Sequence, residues 1–192
     1  DGSENNFTAA HMRIVTKDTV SRYRSSFAVN NFLASAYTEG PVGKKLSYVL
    51  SARVSPLTYE YRAARKFLPH MLGGLDNFNA KVGDLYGKLH FQVNEKSALD
   101  ASFLGSMDSY GYDTQGDSRD EMSWDNLLGI VRYRYDGEVT SFNLTASANR
   151  YGSRQKQDKT YRGEVSHYSL RSSLMEYGLK VGLQHRFLDD RL

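Results

Sequence analysis

The sequence predicts an all-β, antiparallel fold of about eight strands that cross a lipid bilayer, and three observations predict it. Hydrophobic residues recur at every second position over long runs. The connections between those runs alternate between short and long. Within each run the charges keep to one side.

The clearest run is Leu85–Met107. Leu85, Gly87, Leu89, Phe91 and Val93 alternate with Tyr86, Lys88, His90, Gln92 and Asn94. After a turn at Glu95–Lys96, Leu99, Ala101, Phe103, Gly105 and Met107 alternate with Ala98, Asp100, Ser102, Leu104 and Ser106. Successive strand residues point to opposite sides, so this is a hairpin with one apolar and one polar face. Each arm is about the ~9–11 residues that cross a bilayer at a tilt.

The other elements follow in order. Residues 1–10 are polar, and Ala9–Asp18 reads as a short strand ending at a turn. Tyr23, Phe27 and Val29 share a face opposite Arg22 and Arg24, with a tight turn at Asn30-Asn31. Phe32, Ala34, Ala36 and Thr38 form the next run, broken at Gly40–Lys45. Leu46, Tyr48, Leu50, Ala52 and Val54 follow, and Pro56 stops that strand because proline has no N–H for the ladder.

A long irregular connection is expected over Leu57–Ala80, then the hairpin, then a second, acidic one over Asp108–Ser123. Trp124 opens a strand with Leu127, Gly129, Val131, Tyr133 and Tyr135 opposite Asn126, Arg132 and Arg134. Asp136-Gly137 is the strongest hairpin signal in the chain. Phe142, Leu144, Ala146 and Ala148 return, and a third long connection covers Gly152–Glu164. A bulge is expected near Leu174–Glu176. Tyr177, Leu179, Val181, Leu183 and Phe187 make the last strand, before a turn at Leu188–Arg191.

Composition narrows the function. The chain of 192 residues suffices for one sizeable domain, and a net charge of +3 is too small to argue for nucleic acid. Without cysteine there are no disulfides or thiolate metal sites. No run approaches eighteen apolar residues, which excludes a transmembrane helix and leaves spanning strands open. Fourteen tyrosines, nine phenylalanines and sixteen glycines against three prolines suit such strands. All long connections would leave one end of the sheet, as in outer-membrane barrels.

Ala10-His11-Met12-Arg13-Ile14-Val15-Thr16-Lys17-Asp18 resembles the end of the plug domain of TonB-dependent outer-membrane receptors. Thr38-Glu39-Gly40-Pro41-Val42, with Lys45-Leu46-Ser47-Tyr48-Val49-Leu50-Ser51-Ala52-Arg53, is similar to that family's first periplasmic turn and third barrel strand. Trp124-Asp125-Asn126 with Arg132-Tyr133 looks like a later strand. The resemblance implies a plug end and linker over 1–18, and over 19–192 about eight strands of a barrel of about 22. It makes the chain part of a Gram-negative outer-membrane receptor that binds a scarce solute and imports it with TonB-supplied energy. The TonB-contacting part has no counterpart in the chain. Outer-membrane lipid and lipopolysaccharide are expected partners, a surface lipoprotein is a further candidate, and no cofactor is expected.

Candidate contacts to the solute are Tyr59, Tyr61, Arg62 and Arg65 in the first long connection, with Tyr110, Tyr112 and Trp124 around the second. The plainer reading, a solvated loop touching lipopolysaccharide or other loops, is preferred for all of them. Asp113, Asp117, Asp120 and Glu121 could offer oxygens to Ca²⁺, yet their spacing does not match a twelve-residue EF-hand, and no metal is assigned. The five histidines never pair at metal spacing, and no nucleophile elbow or phosphate loop occurs, so no catalytic residue is expected. Lys88, Asp100, Arg132, Arg134 and Lys180 read as a salt-bridged wall on the polar side. The alternative reading is a self-contained eight-stranded outer-membrane barrel with a structural or adhesive role. A barrel hydrolase and a soluble β-sandwich are weaker competitors.

Overall fold

A computed structural model describes residues 20–69, 76–114, 118–161 and 163–186. They form a single eight-stranded antiparallel sheet in which every strand pairs with its sequence neighbours. The strands are β1 (Arg24–Val29), β2 (Ala34–Val42), β3 (Leu46–Val54), β4 (Asp76–Asn94), β5 (Ser97–Thr114), β6 (Ser118–Asp136), β7 (Thr140–Tyr161) and β8 (Glu164–His185). One helix, α1 (Leu57–Phe67), lies between β3 and β4. β1 and β8 do not pair with each other, so the sheet is open.

The turns follow local chemistry. Asn30 Oδ1 accepts from the N–H groups of Phe32 and Leu33 at 2.9 Å each, an Asx turn between β1 and β2. Asn94 Oδ1 accepts from the Lys96 N–H at the β4–β5 turn. Asp136 ends β6 opposite Ser141, and the Gly137 N–H donates to the Thr140 carbonyl at 3.0 Å. Gly43, after β2, has φ +76°, a conformation that costs an L-residue ~1–2 kcal/mol. Gly43→Ala is therefore expected to lower unfolding stability by about that amount, read from the urea midpoint at unchanged slope.

Four expectations need correction. Leu57–Ala80 is not irregular throughout: α1 fills its first half and β4 begins at Asp76. Residues 108–114, 118–123 and 152–161 are strand, so two of the expected loops are tall ribbons of the same sheet, with β6 and β7 still paired up to Ser118 and Lys159. β2 runs through Gly40 and Pro41 to Val42, because Pro41 needs no donated bond to sit opposite Ser47. β8 pairs without interruption through Leu174–Glu176; the irregularities lie in β4, at Asp76/Asn79 and Gln92/Asn94. The expected strand at residues 9–18, Asp117, Phe187 and the turn at 188–191 lie outside the described residues.

The register turns single-strand alternation into a two-faced sheet. One row across the strands is Leu50, Gly87, Phe103, Gly129, Ala148 and Tyr177; the next is Tyr48, Leu89, Ala101, Val131, Ala146 and Leu179. A third is Leu46, Phe91, Leu99, Tyr133, Leu144 and Val181. With two further rows, one of Ala52, Leu85, Gly105 and Leu127 and one of Val54, Gly83 and Met107, these make an apolar belt about nine residues tall on β3 to β5, or ~27 Å along a strand. No second layer covers it: Leu89 is 50% exposed, Val131 49% and Leu179 72%.

The opposite face carries the row Ser47, His90, Asp100, Arg132, Thr145 and Lys180. It also holds an apolar island of Val49, Leu104, Leu128 and Ile130 by the same register. Burial is inverted relative to a water-soluble sheet. Among the described residues the buried hydrophobics are Val20, Ala80 and Ala98, whereas Glu39, Ser47, Thr58, Lys88, His90, Ser97 and Asp100 are all buried. Hydrophobic burial alone does not hold this sheet together; backbone ladders and polar contacts carry its described part.

Candidate functional site

Two polar assemblies stand out. The first is a cavity of about 660 Å³ at the tall end of the sheet. α1 closes it from one side. The Ser55 N–H bonds the Val82 carbonyl at 2.7 Å, extending the β3–β4 ladder by one step. Then the Thr58 hydroxyl takes over the ladder's role, donating to the Ala80 carbonyl at 2.6 Å and accepting from its N–H at 2.9 Å. Glu60 in the first turn and Arg65 and Lys66 in the last complement the helix dipole.

The cavity brings together Tyr59, Arg62, Tyr110 and Tyr112 of the expected solute contacts. Tyr61 instead packs on Phe78 with ring centroids 4.7 Å apart. Trp124 stands edge-on to Tyr110 at 6.4 Å, and neither Trp124 nor Arg65 lines the cavity. Lys81, Arg119, Arg154 and Lys156 also line it, and sequence reading did not single them out. By register Lys81, Ser109, Ser123 and Arg154 form one row, on the same side as the apolar belt. The cavity thus opens mainly above the belt rather than over the polar face.

The acidic residues do not converge. Asp113 and Glu121 share a face with Arg119, whose guanidinium is 3.7 Å from the first and 2.5 Å from the second. Asp120 points the other way, where Gln157 donates to it at 2.5 Å. Among the described residues no group of three or more His, Asp or Glu is placed to hold a metal ion. The bond to Glu121, then its charge and that of Asp113, hold the Arg119 guanidinium still more firmly protonated than usual. The charge of Asp120, then a hydrogen bond to it, pushes the Tyr112 phenol above its ordinary range.

The second assembly surrounds Asp100 on the polar face. His90 and Arg132 lie directly opposite Asp100 on the two neighbouring strands, and Lys88 and Arg134 are its diagonal neighbours. His90 Nδ1 is 2.8 Å from Asp100 Oδ1, Lys88 Nζ 3.6 Å from it, and Arg134 Nη2 3.9 Å from Oδ2. Of the expected wall of Lys88, Asp100, Arg132, Arg134 and Lys180, Lys88 and Arg134 lie within 4 Å of Asp100, and His90 is an unforeseen member. Ser47, His90 and Asp100 fall in one row, an order that invites comparison with a nucleophilic triad. The second ring nitrogen of His90, however, faces Gln92 Oε1 at 3.3 Å, and no hydrogen bond joins it to Ser47. The cluster as it stands orients charges and leaves no serine activated.

The described chain is thus an all-β protein of one open antiparallel sheet. No family model, curated protein or solved structure matches it.

Proposed function

We propose that this chain forms part of the wall of an outer-membrane β-barrel of the TonB-dependent receptor type, which captures a scarce solute and imports it with TonB-supplied energy. The observation that carries the reading is the inversion of the sheet. An uncovered apolar belt about nine residues tall lies in register across the strands, and the buried charges sit on the opposite face. Hydrocarbon is the solvent that belt matches, because it spans about the height of a barrel's lipid-facing band. The three described connections at one end of the sheet are short, while helix and ribbons stand at the other, which suits periplasmic turns and external loops.

The open edges favour a larger barrel over an eight-stranded one. An unpaired edge in hydrocarbon leaves backbone groups unsatisfied, so β1 and β8 each require a partner strand. The cation-rich polar face (Lys88, Arg132, Arg134, Lys180) would line the lumen.

Because the chain has no cysteine, single cysteines can be placed freely. In the full-length protein reconstituted in bilayers, spin labels from residue 127 to residue 135 are expected to alternate. Labels at odd positions should collide with oxygen dissolved in lipid, and labels at even positions with a water-soluble relaxant. Uniform water contact along that stretch refutes the membrane reading. Efficient cross-linking of a cysteine in β1 to one in β8 replaces the receptor with the eight-stranded alternative.

A further inference from the structure

The polar face divides by height. Its lower half carries the cations Lys88, Arg132, Arg134 and Lys180. The five rows above, from that of Leu104 to that of Tyr112, place no lysine, arginine or histidine on β5 to β8. They carry aromatic rings, amides and hydroxyls instead, with carboxylates at Asp108, Asp120 and Glu176. Asp120 is taken up by Gln157 and Tyr112. Asp108 has no hydrogen-bond or ion-pair partner among the described residues.

Three of the rings stand on a diagonal. Tyr110 on β5, Trp124 on β6 and Tyr151 on β7 are each one strand across and two residues down from the last, because Trp124 lies opposite Asp108 and Tyr151 opposite Asn126. Each diagonal step is ~7–8 Å, so the staircase runs ~15 Å in a line. Tyr110 is 40% exposed and Tyr151 38%. Tyr110 and Trp124 meet edge-on, with 74° between their planes, so one ring face stays uncovered by the other. Two polar groups flank the steps: Asp108 beside Trp124, and Asn126 beside Tyr151. The side-chain oxygen of Asn126 has no hydrogen-bond partner among the described residues, so a donor brought by a ligand would satisfy it.

We infer that this staircase binds a neutral oligosaccharide, and that such a chain of sugars is the class of solute imported. The inference rests on the barrel reading above, which turns the polar face toward the lumen and sets the staircase near its outer mouth. An aromatic ring has a negative face, which suits the weakly positive C–H face of a sugar ring. The hydroxyls around the sugar's rim then meet Asp108 as acceptor and Asn126 as donor and acceptor. A line of rings serves a chain of sugars better than a single one. It does not converge on one point, as a cage for an ammonium group must. An anionic ligand would face Asp108 and Glu176 and find no cation in these rows.

The test is titration calorimetry on the full-length protein in detergent. Probes are neutral oligosaccharides of glucose, mannose, galactose and xylose, the matching monosaccharides, sulfated galactan oligosaccharides and chitosan oligosaccharides. Wild type should bind a neutral oligosaccharide more tightly than its monosaccharide and than either charged set. Trp124→Ala should weaken that binding about tenfold or more, and Trp124→Phe, which keeps a ring, should weaken it less. Arg171→Gln, on the belt side of β8, should bind as wild type does. Should Trp124→Ala not fold, as judged by heat-modifiable gel migration, Tyr151→Leu decides, with weaker binding expected although an apolar side chain remains. No neutral oligosaccharide bound, tightest binding by a charged set, or unchanged affinity in the ring variants overturns the inference. Belt labels that report hydrocarbon alongside such a result sink this site alone; labels that report water sink the barrel reading on which import of the ligand rests.

Discussion

Val131→Arg is expected to weaken folding into a bilayer by ~2–4 kcal/mol, because it places a guanidinium near mid-belt on the side proposed to face lipid. Its value as a test comes from Val131 being 49% exposed in the isolated sheet. In water an exposed valine on a strand can become arginine within about 0.5 kcal/mol, since no packing is lost and the charge stays hydrated. The solvent therefore decides the outcome, and no neighbouring contact needs to be invoked. The paired control is Gln184→Arg, an exposed side chain on the polar face of β8 opposite Ser141, which should fall within the same ~0.5 kcal/mol. Urea-driven unfolding from lipid vesicles measures both. Equal, small effects for the two variants would remove lipid from the account of this sheet.

Asp100→Asn should be the costliest single change on the polar face, about 3–5 kcal/mol. The side chain is buried, and it is the carboxylate around which His90, Lys88 and Arg134 gather. Removing its charge leaves the Lys88 and Arg134 cations facing one another in a place where water screens them poorly. Substituting Lys88 as well, as in Asp100→Asn/Lys88→Met, should return part of the loss, because the pair is then absent rather than broken. A loss under about 1 kcal/mol for Asp100→Asn would mean that water reaches the cluster freely. Arg53–Asp84, bonded at 2.9 Å through Nε but with the arginine largely exposed, provides the contrast. Asp84→Asn should cost no more than about 1 kcal/mol.

The belt was legible in the sequence because one side of each strand is strictly apolar there. Leu85–Val93 and Leu127–Tyr135 fix their own phase, and a one-residue slip would turn every side chain over. The ribbons above the belt were not legible for the complementary reason. Both faces are polar there, with Asp113, Arg119 and Glu121 on one and Tyr112, Asp120 and Gln157 on the other. Without a contrast between faces there is no period of two to detect, and the segments read as loops. α1 was missed because its stability is tertiary. Eleven residues are marginal for an isolated helix, and the tie that fixes this one is the Thr58 hydroxyl on the β4 backbone. Of the candidate site, the aromatic half (Tyr59, Tyr110, Tyr112) was anticipated. On its basic side Arg62 was anticipated, whereas Lys81 and Arg154 were not, since those two are 73 residues apart in sequence and meet only through the register.

The strands are also of very unequal height. β1 to β3 have six to nine residues, while β4 to β8 have 18 to 22. Measured from the row of Val54, Met107 and Gly152, β5 climbs another seven residues and β7 another nine, ~24–30 Å along the strand. Built into a closed wall, this gives a lopsided parapet: a palisade along one sector beside a low sill where α1 sits. In the barrel proposed above, anything large drifting toward the cell surface would strike the palisade first, and the sill would offer small molecules the shorter way in.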